Sequence, residues 1–236
     1  MTITRRLTIT NVLIAVNVVA YIWLRFTGGL ASNDALLDHG ALLGVACTAG
    51  GQWWRIVTGA FLHGGELHIG MNMLALYIVG NDVELVYGKL RYVLLYGIAM
   101  TGAGLAVVYF APNDVTVGAS GAIFGLFGAL VAVGLRLGGS RGRQLIGRML
   151  PVLVINLVLT FTIPNISSAG HVGGLITGFL AGLVLFNGPV RRQFDAYAYV
   201  AGPQEPAPVE TIEHPAHAGP HEDGEAPPSQ VRDPRP

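Results

Sequence analysis

Residues 119–137 read ASGAIFGLFGALVAVGLRL, and Arg136 is the only charged side chain in this run. About 20 predominantly apolar residues are enough for an α-helix to cross the hydrocarbon core of a bilayer. A helix is the expected conformation because a chain exposed to lipid has to satisfy its own backbone hydrogen bonds. The run therefore predicts a membrane-spanning helix, and a serine between small neighbours stands at its start.

Five other runs have a similar length and composition, so the sequence predicts an all-α, polytopic membrane bundle of six transmembrane helices. The first run follows Arg5 and Arg6, as a signal peptide would. It contains Trp23 and no convincing small-x-small cleavage site follows it, so we interpret it as a membrane helix. The predicted spans cover residues 10–26, 67–86, 90–110, 119–137, 145–163 and 169–186.

Composition supports a membrane protein and argues against other classes. Hydrophobic residues make up 52% of the 236 residues and charged residues 12%, roughly half the charged share of a soluble domain. A formal net charge of +0 argues against a general nucleic-acid-binding protein. Cys47 is the only cysteine, and because no basic partner is evident beside it, we expect a buried thiol rather than a catalytic one.

Lysine and arginine residues predict the orientation of the spans, because cytoplasmic loops carry an excess of them. With the N-terminus inside, the outer segments contain Arg25 and Arg55, and both termini are cytoplasmic. We therefore expect a multi-pass protein of the cell membrane. The inner segments then contain Arg5, Arg6, Lys89, Arg91, Arg136, Arg141, Arg143, Arg148, Arg191 and Arg192.

The composition changes where the predicted spans end. Most of the 13 prolines lie in residues 189–236, where acidic side chains also outnumber arginines. Such a segment cannot bury a core. We expect a six-span domain over residues 1–190 and a disordered, proline-rich, acidic cytoplasmic tail over residues 191–236. We interpret the tail residues His214, His217 and His221 as solvated rather than metal-binding.

A few polar side chains lie inside the predicted spans, where they are costly and therefore point to function. His68 and Asn72 lie in the second span, Ser120 in the fourth and His171 in the sixth. These spans run in the same direction, and each residue falls in the first turns of its span. The topology therefore predicts that they share one layer near the outer face. Unrelated helix–helix hydrogen bonds are the alternative interpretation.

Ser120 lies in Gly118-Ala119-Ser120-Gly121. The flanking glycines let another backbone or a substrate approach closely, and the start of a helix offers free N–H groups that suit an oxyanion. A serine hydroxyl needs a base, and histidine is the usual one. Since no carboxylate lies beside His171 in sequence or in its span, we predict a Ser–His dyad rather than a triad.

Glycines recur every four residues in the sixth span, which predicts a smooth face for close packing of another helix. If the fourth span is that partner, His171 can reach Ser120. Gly174 lies next to the level of the histidine and is expected to support this contact. The glycines are Gly170, Gly174, Gly178 and Gly182.

His68 and Asn72 are four residues apart, so both side chains can donate hydrogen bonds into one pocket. Donors aimed at a developing oxyanion contribute about 3 kcal/mol each. A metal site is the competing interpretation, because residues 63–68 read HGGELH. Their spacing matches neither common zinc-protease motif, and His63 and His68 do not share a helix face. We expect no metal.

Five short motifs occur in order along the predicted spans: Trp54-Arg55, His63-x4-His68-x3-Asn72, Gly80-x3-Glu84-x3-Gly88, Gly118-Ala119-Ser120-Gly121 and Gly170-His171 with its glycine stripe. Together they resemble the rhomboid intramembrane serine proteases over residues 5–190. The resemblance implies that Ser120 and His171 form the dyad and that His68, Asn72 and the Ser120 N–H line the oxyanion hole. It implies supporting roles for His63, Gly118, Gly121, Phe124 and Gly174. It also implies transmembrane protein substrates in the lipid bilayer, cleaved near small-residue sites that destabilise a helix, without cofactor or metal.

One position departs from the family pattern. Some rhomboids carry a tyrosine four residues after the nucleophile, stacked beneath the histidine. Phe124 stands at that position here, so the ring is kept and the hydroxyl is lost. We expect the orientation of His171 to depend more on packing.

Two other functions stay open. A catalytically inactive rhomboid-like protein that binds membrane clients would usually lack the serine or the histidine, and both are present. A transporter or channel would show internal repeats or broken helices and acidic residues inside its spans. The sequence favours the protease over both.

Overall fold

The computed structural model describes residues 8–164 and 166–187, and it confirms the predicted all-helical fold class. The predicted tail with its three histidines lies outside the described residues. A π-helical turn, Leu76–Gly80, joins the fifth and sixth helices. The α-helices of the described part are α1 (Ile9–Phe26), α2 (Asn33–Asp38), α3 (Gly44–Thr48), α4 (Arg55–Gly59), α5 (Glu66–Ala75), α6 (Asn81–Phe110), α7 (Ser120–Leu137), α8 (Gly139–Thr162) and α9 (Ser168–Leu185).

Five helical segments in the described residues are long and apolar enough to cross a membrane: α1, α7, α8, α9 and the 45-residue run of α5 and α6. The long run is interrupted at Gly88, whose φ of 75° and ψ of 165° are not helical. At a rise of about 1.5 Å per residue it would measure roughly 67 Å, about twice the hydrocarbon thickness of a bilayer. The predicted second and third spans lie on the two sides of Gly88, and the count of six crossings stays a prediction.

Helix α7 occupies the centre of the bundle. It packs against α6, α8 and α9, and most of its residues are buried. Small residues along α7 let the neighbouring helices approach, and large ones such as Leu126 and Phe127 fill the core together with Tyr87 and Tyr92 of α6. Helices α1 and α8 bury far fewer of their residues and present apolar side chains outward. The candidate serine at the start of α7 is therefore carried by the most enclosed helix.

Glu84 of α6 attaches the start of α1 to the bundle. Its carboxylate accepts hydrogen bonds from the backbone N–H groups of Ile9 and Thr10, each at 2.9 Å, and from the Thr10 hydroxyl at 2.9 Å. The first N–H groups of a helix have no partner within the helix, and a carboxylate also complements the positive end of the helix dipole. This arrangement explains why a buried carboxylate is tolerated inside a membrane helix.

The segment between α1 and α5 folds back onto the end of the bundle at which α7 begins. The guanidinium of Arg55 donates to the backbone oxygens of Leu37 and Ala41, at 2.7 and 2.8 Å. An antiparallel bridge between Leu42 and Thr116 attaches the segment to the residues that precede α7. The centroid of the exposed Trp54 ring lies 4.7 Å from the Arg55 guanidinium carbon, and exposed tryptophans of membrane proteins are typical of the membrane–water interface.

Candidate active site

Ser120 is the first residue of α7, and a tight loop places it there. Gly118 has a φ of 120°, a conformation that residues with a side chain rarely adopt, and its N–H donates to the Gly59 backbone oxygen at 2.9 Å. The Ser120 side chain is half-buried. Because the serine begins the helix, the N–H groups of the first turn are free of partners within α7.

His171 lies in the first turn of α9, and its side chain is 8% exposed. Its Nε2 atom lies 2.7 Å from Oγ of Ser120, which is the distance of a strong hydrogen bond. The two residues are 51 positions apart in sequence. The structure thus brings together a hydroxyl and a base at the distance that general base catalysis requires.

Close backbone contact between α7 and α9 produces this geometry. A Cβ atom placed on Gly174 would overlap the backbone oxygen of Gly121, and one placed on Gly178 would overlap Gly125 in the same way. One turn further along α9, a Cβ atom on Gly182 would lie 2.7 Å from Cα of Ala129. We call these facing positions of α7 and α9 the glycine seam. Its existence agrees with the contact that the four-residue glycine spacing predicted.

Gly170 is the exception within the predicted stripe. A Cβ atom on Gly170 would meet Oγ of Ser167 at 3.1 Å and the side chain of Val107 at 3.3 Å, rather than α7. Its backbone oxygen does face α7, 3.3 Å from where a Cβ of Gly121 would lie. A Cβ atom on Gly121 would lie only 2.6 Å from Cβ of Ala103 in α6, so the lack of a side chain at Gly121 serves the packing of α7 against α6 more than against Gly170.

Two side chains hold the imidazole of His171 besides Ser120. The ring of Phe124 stacks on it, with ring centroids 4.3 Å apart and an interplanar angle of 16°. The hydroxyl of Thr160 in α8 lies 2.7 Å from Nδ1. Thr160 did not emerge from the sequence analysis. Its polarity inside an apolar span is a weak signal, because Thr162 of the same predicted span shares it.

His68 lies beside Ser120 because Gly118 leaves room for its ring. A Cβ atom on Gly118 would lie 2.8 Å from Nε2 of His68 and 3.7 Å from Oγ of Ser120, so both groups border one small space. Asn72 is buried one turn further along α5, and its amide nitrogen donates to the His68 backbone oxygen at 2.9 Å. An amide nitrogen carries two protons, so one remains available to another acceptor.

His63 lies behind His68 and outside the membrane-spanning helices. The two rings meet edge to face with centroids 5.1 Å apart, and His63 is fully buried. Burial lowers the pKa of His63 from 6.5 to about 4, and the neighbouring His68 adds to this effect, while the Phe61 backbone offsets only part of it. A neutral His63 therefore supports His68 from the loop, as an uncharged packing partner.

We expect the free energy of unfolding to fall as the pH drops through the range set by His63. Between pH 6.5 and about 4 the unfolded chain binds a proton on His63 and the folded chain does not. Protonation therefore favours the unfolded state, and the stability that is fully present above pH 6.5 is lost as the pH falls towards 4. The maximum effect is on the order of 3 kcal/mol. Melting temperatures in detergent between pH 7 and pH 4 should fall less steeply for His63→Phe than for the unchanged chain. Parallel curves would contradict the prediction.

Cys47 and the histidine pair show no competing chemistry in the described residues. Arg55 comes near Cys47, contrary to the expectation that no basic group does, but burial raises the pKa of the thiol more than the Arg55 charge lowers it. The sulfur also lies 3.4 Å from the Gln52 backbone oxygen, so the environment is unsuited to a thiolate nucleophile. No group of three His, Cys, Asp or Glu side chains in this part of the chain is arranged to hold a metal ion. His63 and His68 do not acquire a third ligand.

Part of the chain matches the sequence model of a known protein family. The sequence model of the Rhomboid domain matches residues 50–188, more than half of the chain. The chain belongs to the rhomboid family. The matched region of this rhomboid includes every candidate site residue, from His63 at one end to Gly174 at the other, and it includes Thr160.

Relatives from bacteria and plants agree with the family assignment. The rhomboid is 38% identical over 178 residues to the rhomboid protease GluP of Bacillus subtilis, covering 75% of this chain and 35% of that protein. It is 30% identical over 175 residues to the putative rhomboid protease YdcA of the same bacterium, covering 73% and 87%. It is 34% identical over 143 residues to RHOMBOID-like protein 4 of Arabidopsis thaliana, covering 59% and 36%. The chain thus spans about a third of the length of the first and last of these relatives.

The family resemblance predicted from the motifs is therefore confirmed, and so is a multi-pass membrane protein with several apolar helices.

Proposed function

We propose that this rhomboid is an intramembrane serine endopeptidase that hydrolyses peptide bonds in or near the transmembrane segments of membrane-protein substrates. The observation that carries the proposal is the 2.7 Å separation between Nε2 of His171 and Oγ of Ser120. One of the relatives described above is named a rhomboid protease and another a putative rhomboid protease, which supports the same activity. We place the rhomboid in the cell membrane, and the excess of Lys and Arg in the segments on the side of the two termini supports cytoplasmic termini.

In the acylation step, His171 acts as the general base. Its Nε2 takes the hydroxyl proton as Oγ of Ser120 attacks the scissile carbonyl carbon, and the same nitrogen then gives that proton to the leaving amine. Water hydrolyses the resulting acyl-enzyme by the reverse proton transfers. Ser120 is only half-buried, which leaves the hydroxyl within reach of a peptide and of water.

Three donors suit the oxyanion that forms during both steps. These are the Ser120 N–H at the start of α7, the His68 ring beside it and the second amide proton of Asn72. Donors fixed before the reaction are effective because they need no reorganisation when charge develops. The buried edge-to-face contact with His63 holds the His68 ring in place.

A serine-directed fluorophosphonate probe tests the proposal. Oγ of Ser120 should displace fluoride at phosphorus while His171 takes the proton, so mass spectrometry should find the adduct on Ser120. The detergent-solubilised chain should also cleave a test transmembrane substrate, with or without EDTA, because serine chemistry needs no metal. A folded chain that neither reacts with the probe nor cleaves would instead be a client-binding rhomboid. Loss of cleavage in EDTA, restored by zinc, would reverse our interpretation of His63 and His68.

A further inference from the structure

A contact from a third helix bears on the chemistry of His171. Thr160 lies in α8, whereas Ser120 and His171 lie in α7 and α9, and its side chain is only 3% exposed. Its Oγ1 atom lies 2.7 Å from Nδ1 of His171 and 2.7 Å from the backbone oxygen of Asn156. One hydroxyl thus bridges the imidazole edge that faces away from Ser120 and a main-chain carbonyl.

The number of protons in this bridge determines its direction. A threonine hydroxyl has one proton to donate, and a carbonyl oxygen can only accept. The short contact with the Asn156 oxygen therefore uses the hydroxyl proton of Thr160. The remaining contact requires a proton on Nδ1, which donates to a lone pair of Oγ1. In the opposite arrangement, the hydroxyl would donate to Nδ1 and two oxygen lone pairs would face each other at 2.7 Å.

A neutral imidazole with its proton on Nδ1 has a bare Nε2. This is the tautomer that can accept a proton from Ser120, whereas the other tautomer would point an N–H at the hydroxyl and could not act as a base. The Nδ1–H also persists after proton transfer, so Thr160 faces the same donor before and after the imidazolium forms. The arrangement needs no reorganisation during the reaction.

We propose that Thr160 is a positioning residue that selects the Nδ1–H tautomer of His171, a proposal that rests on the proposed protease function. Phe124 and Thr160 each fix one part of the orientation of the His171 imidazole. The stacked phenyl ring fixes its plane, and the hydroxyl fixes its rotation within that plane and its proton. A third residue thus acts where sequence alone predicts a dyad, and a neutral hydroxyl stands where serine proteases often use a carboxylate.

Two substitutions separate the hydroxyl from the volume of Thr160. Thr160→Val keeps the branched shape and removes the oxygen, whereas Thr160→Ser keeps the oxygen and removes a methyl group. Thr162→Val is the matched control, because Thr162 is exposed in the same helix and its hydroxyl bonds to the Val158 backbone oxygen at 2.8 Å. Ring-labelled histidine in the full chain gives nitrogen NMR signals that distinguish protonated from bare ring nitrogens. The His171 signals are identified by their absence from His171→Asn.

In Thr160→Val we expect the Nδ1 signal of His171 to move towards that of a bare nitrogen. Its kcat on a test substrate should fall about ten- to a hundredfold, with KM changed less than twofold. Thr160→Ser should restore both readouts, and Thr162→Val should alter neither. An unchanged His171 spectrum in Thr160→Val would overturn the proposal, as would Thr160→Ser with the same loss as Thr160→Val. Because the spectrum does not depend on turnover, a chain without protease activity whose tautomer still responds to Thr160→Val would overturn only the proposed function.

Discussion

Replacing Ser120 or His171 with alanine should abolish cleavage of a test transmembrane substrate while the chain stays folded. Without Ser120 no acyl-enzyme forms, and without His171 the hydroxyl 2.7 Å away has no base to take its proton. The double variant should lose about as much activity as either single variant, because residues that act as a unit are not additive. Rates of substrate cleavage in detergent and in liposomes measure this.

Ser168→Ala is the matched control for the serine substitution. Ser168 is exposed in the first turn of α9, close to the candidate site but outside the contacts described for it. This variant should cleave at the rate of the unchanged chain. Melting temperatures within a few degrees of each other would show that all variants are folded. Retained turnover in Ser120→Ala or His171→Ala would refute the dyad.

Gly174→Val should lower activity at least tenfold and lower the melting temperature. A Cβ atom at this position would overlap the backbone oxygen of Gly121, which cannot rotate away as a side chain can. Helices α7 and α9 must therefore separate, at a cost of about 1–3 kcal/mol for overpacking. A displacement of about 1 Å between reacting groups can reduce a rate a hundredfold.

Gly97→Val is the appropriate control for this substitution. Gly97 is also a glycine inside a membrane helix, but apart from its chain neighbours and the nearby backbone of its own helix, a Cβ atom there would meet nothing within 4 Å. Gly134, another glycine of α7, is a poor control although it is far from the chemistry, because a Cβ atom there would meet Cγ1 of Ile146 at 2.5 Å. Full activity and an unchanged melting temperature in Gly174→Val would contradict the glycine seam.

The apolar runs predicted the long helices well, and the deviations have physical causes. Helix α8 begins at Gly139, six residues before the predicted span, because the helix also includes the polar residues 139–144, among them Arg141 and Arg143, which an apolar run does not contain. Gly88 interrupts the helical run where the predicted second and third spans separate. The π-helical turn at Leu76–Gly80 and the short helices α2, α3 and α4 have no apolar period of their own, so the sequence did not predict them.

The sequence predicted those residues of the candidate site that are polar and lie at the start of an apolar membrane span. Ser120, His68 and His171 stand out because each begins an apolar span. Thr160 does not stand out, because threonines in membrane helices commonly bond to their own backbone, as Thr162 and Thr177 do in this chain. Only the packing of α8 against α9 distinguishes Thr160 from Thr162, and that packing has no local sequence signal.

The glycine seam has a consequence for conformational entropy. In water, a glycine inside a helix is unfavourable because the unfolded backbone loses much freedom when it becomes helical. In a bilayer, separated helices stay helical, since their backbone groups have no water to bond to. The backbone freedom of Gly174 and Gly178 is therefore lost when the helices insert, before they pack against α7. Close backbone packing between α7 and α9 then costs little further entropy. Glycines that would weaken a helix bundle in water can therefore hold the serine-bearing helix against the histidine-bearing helix.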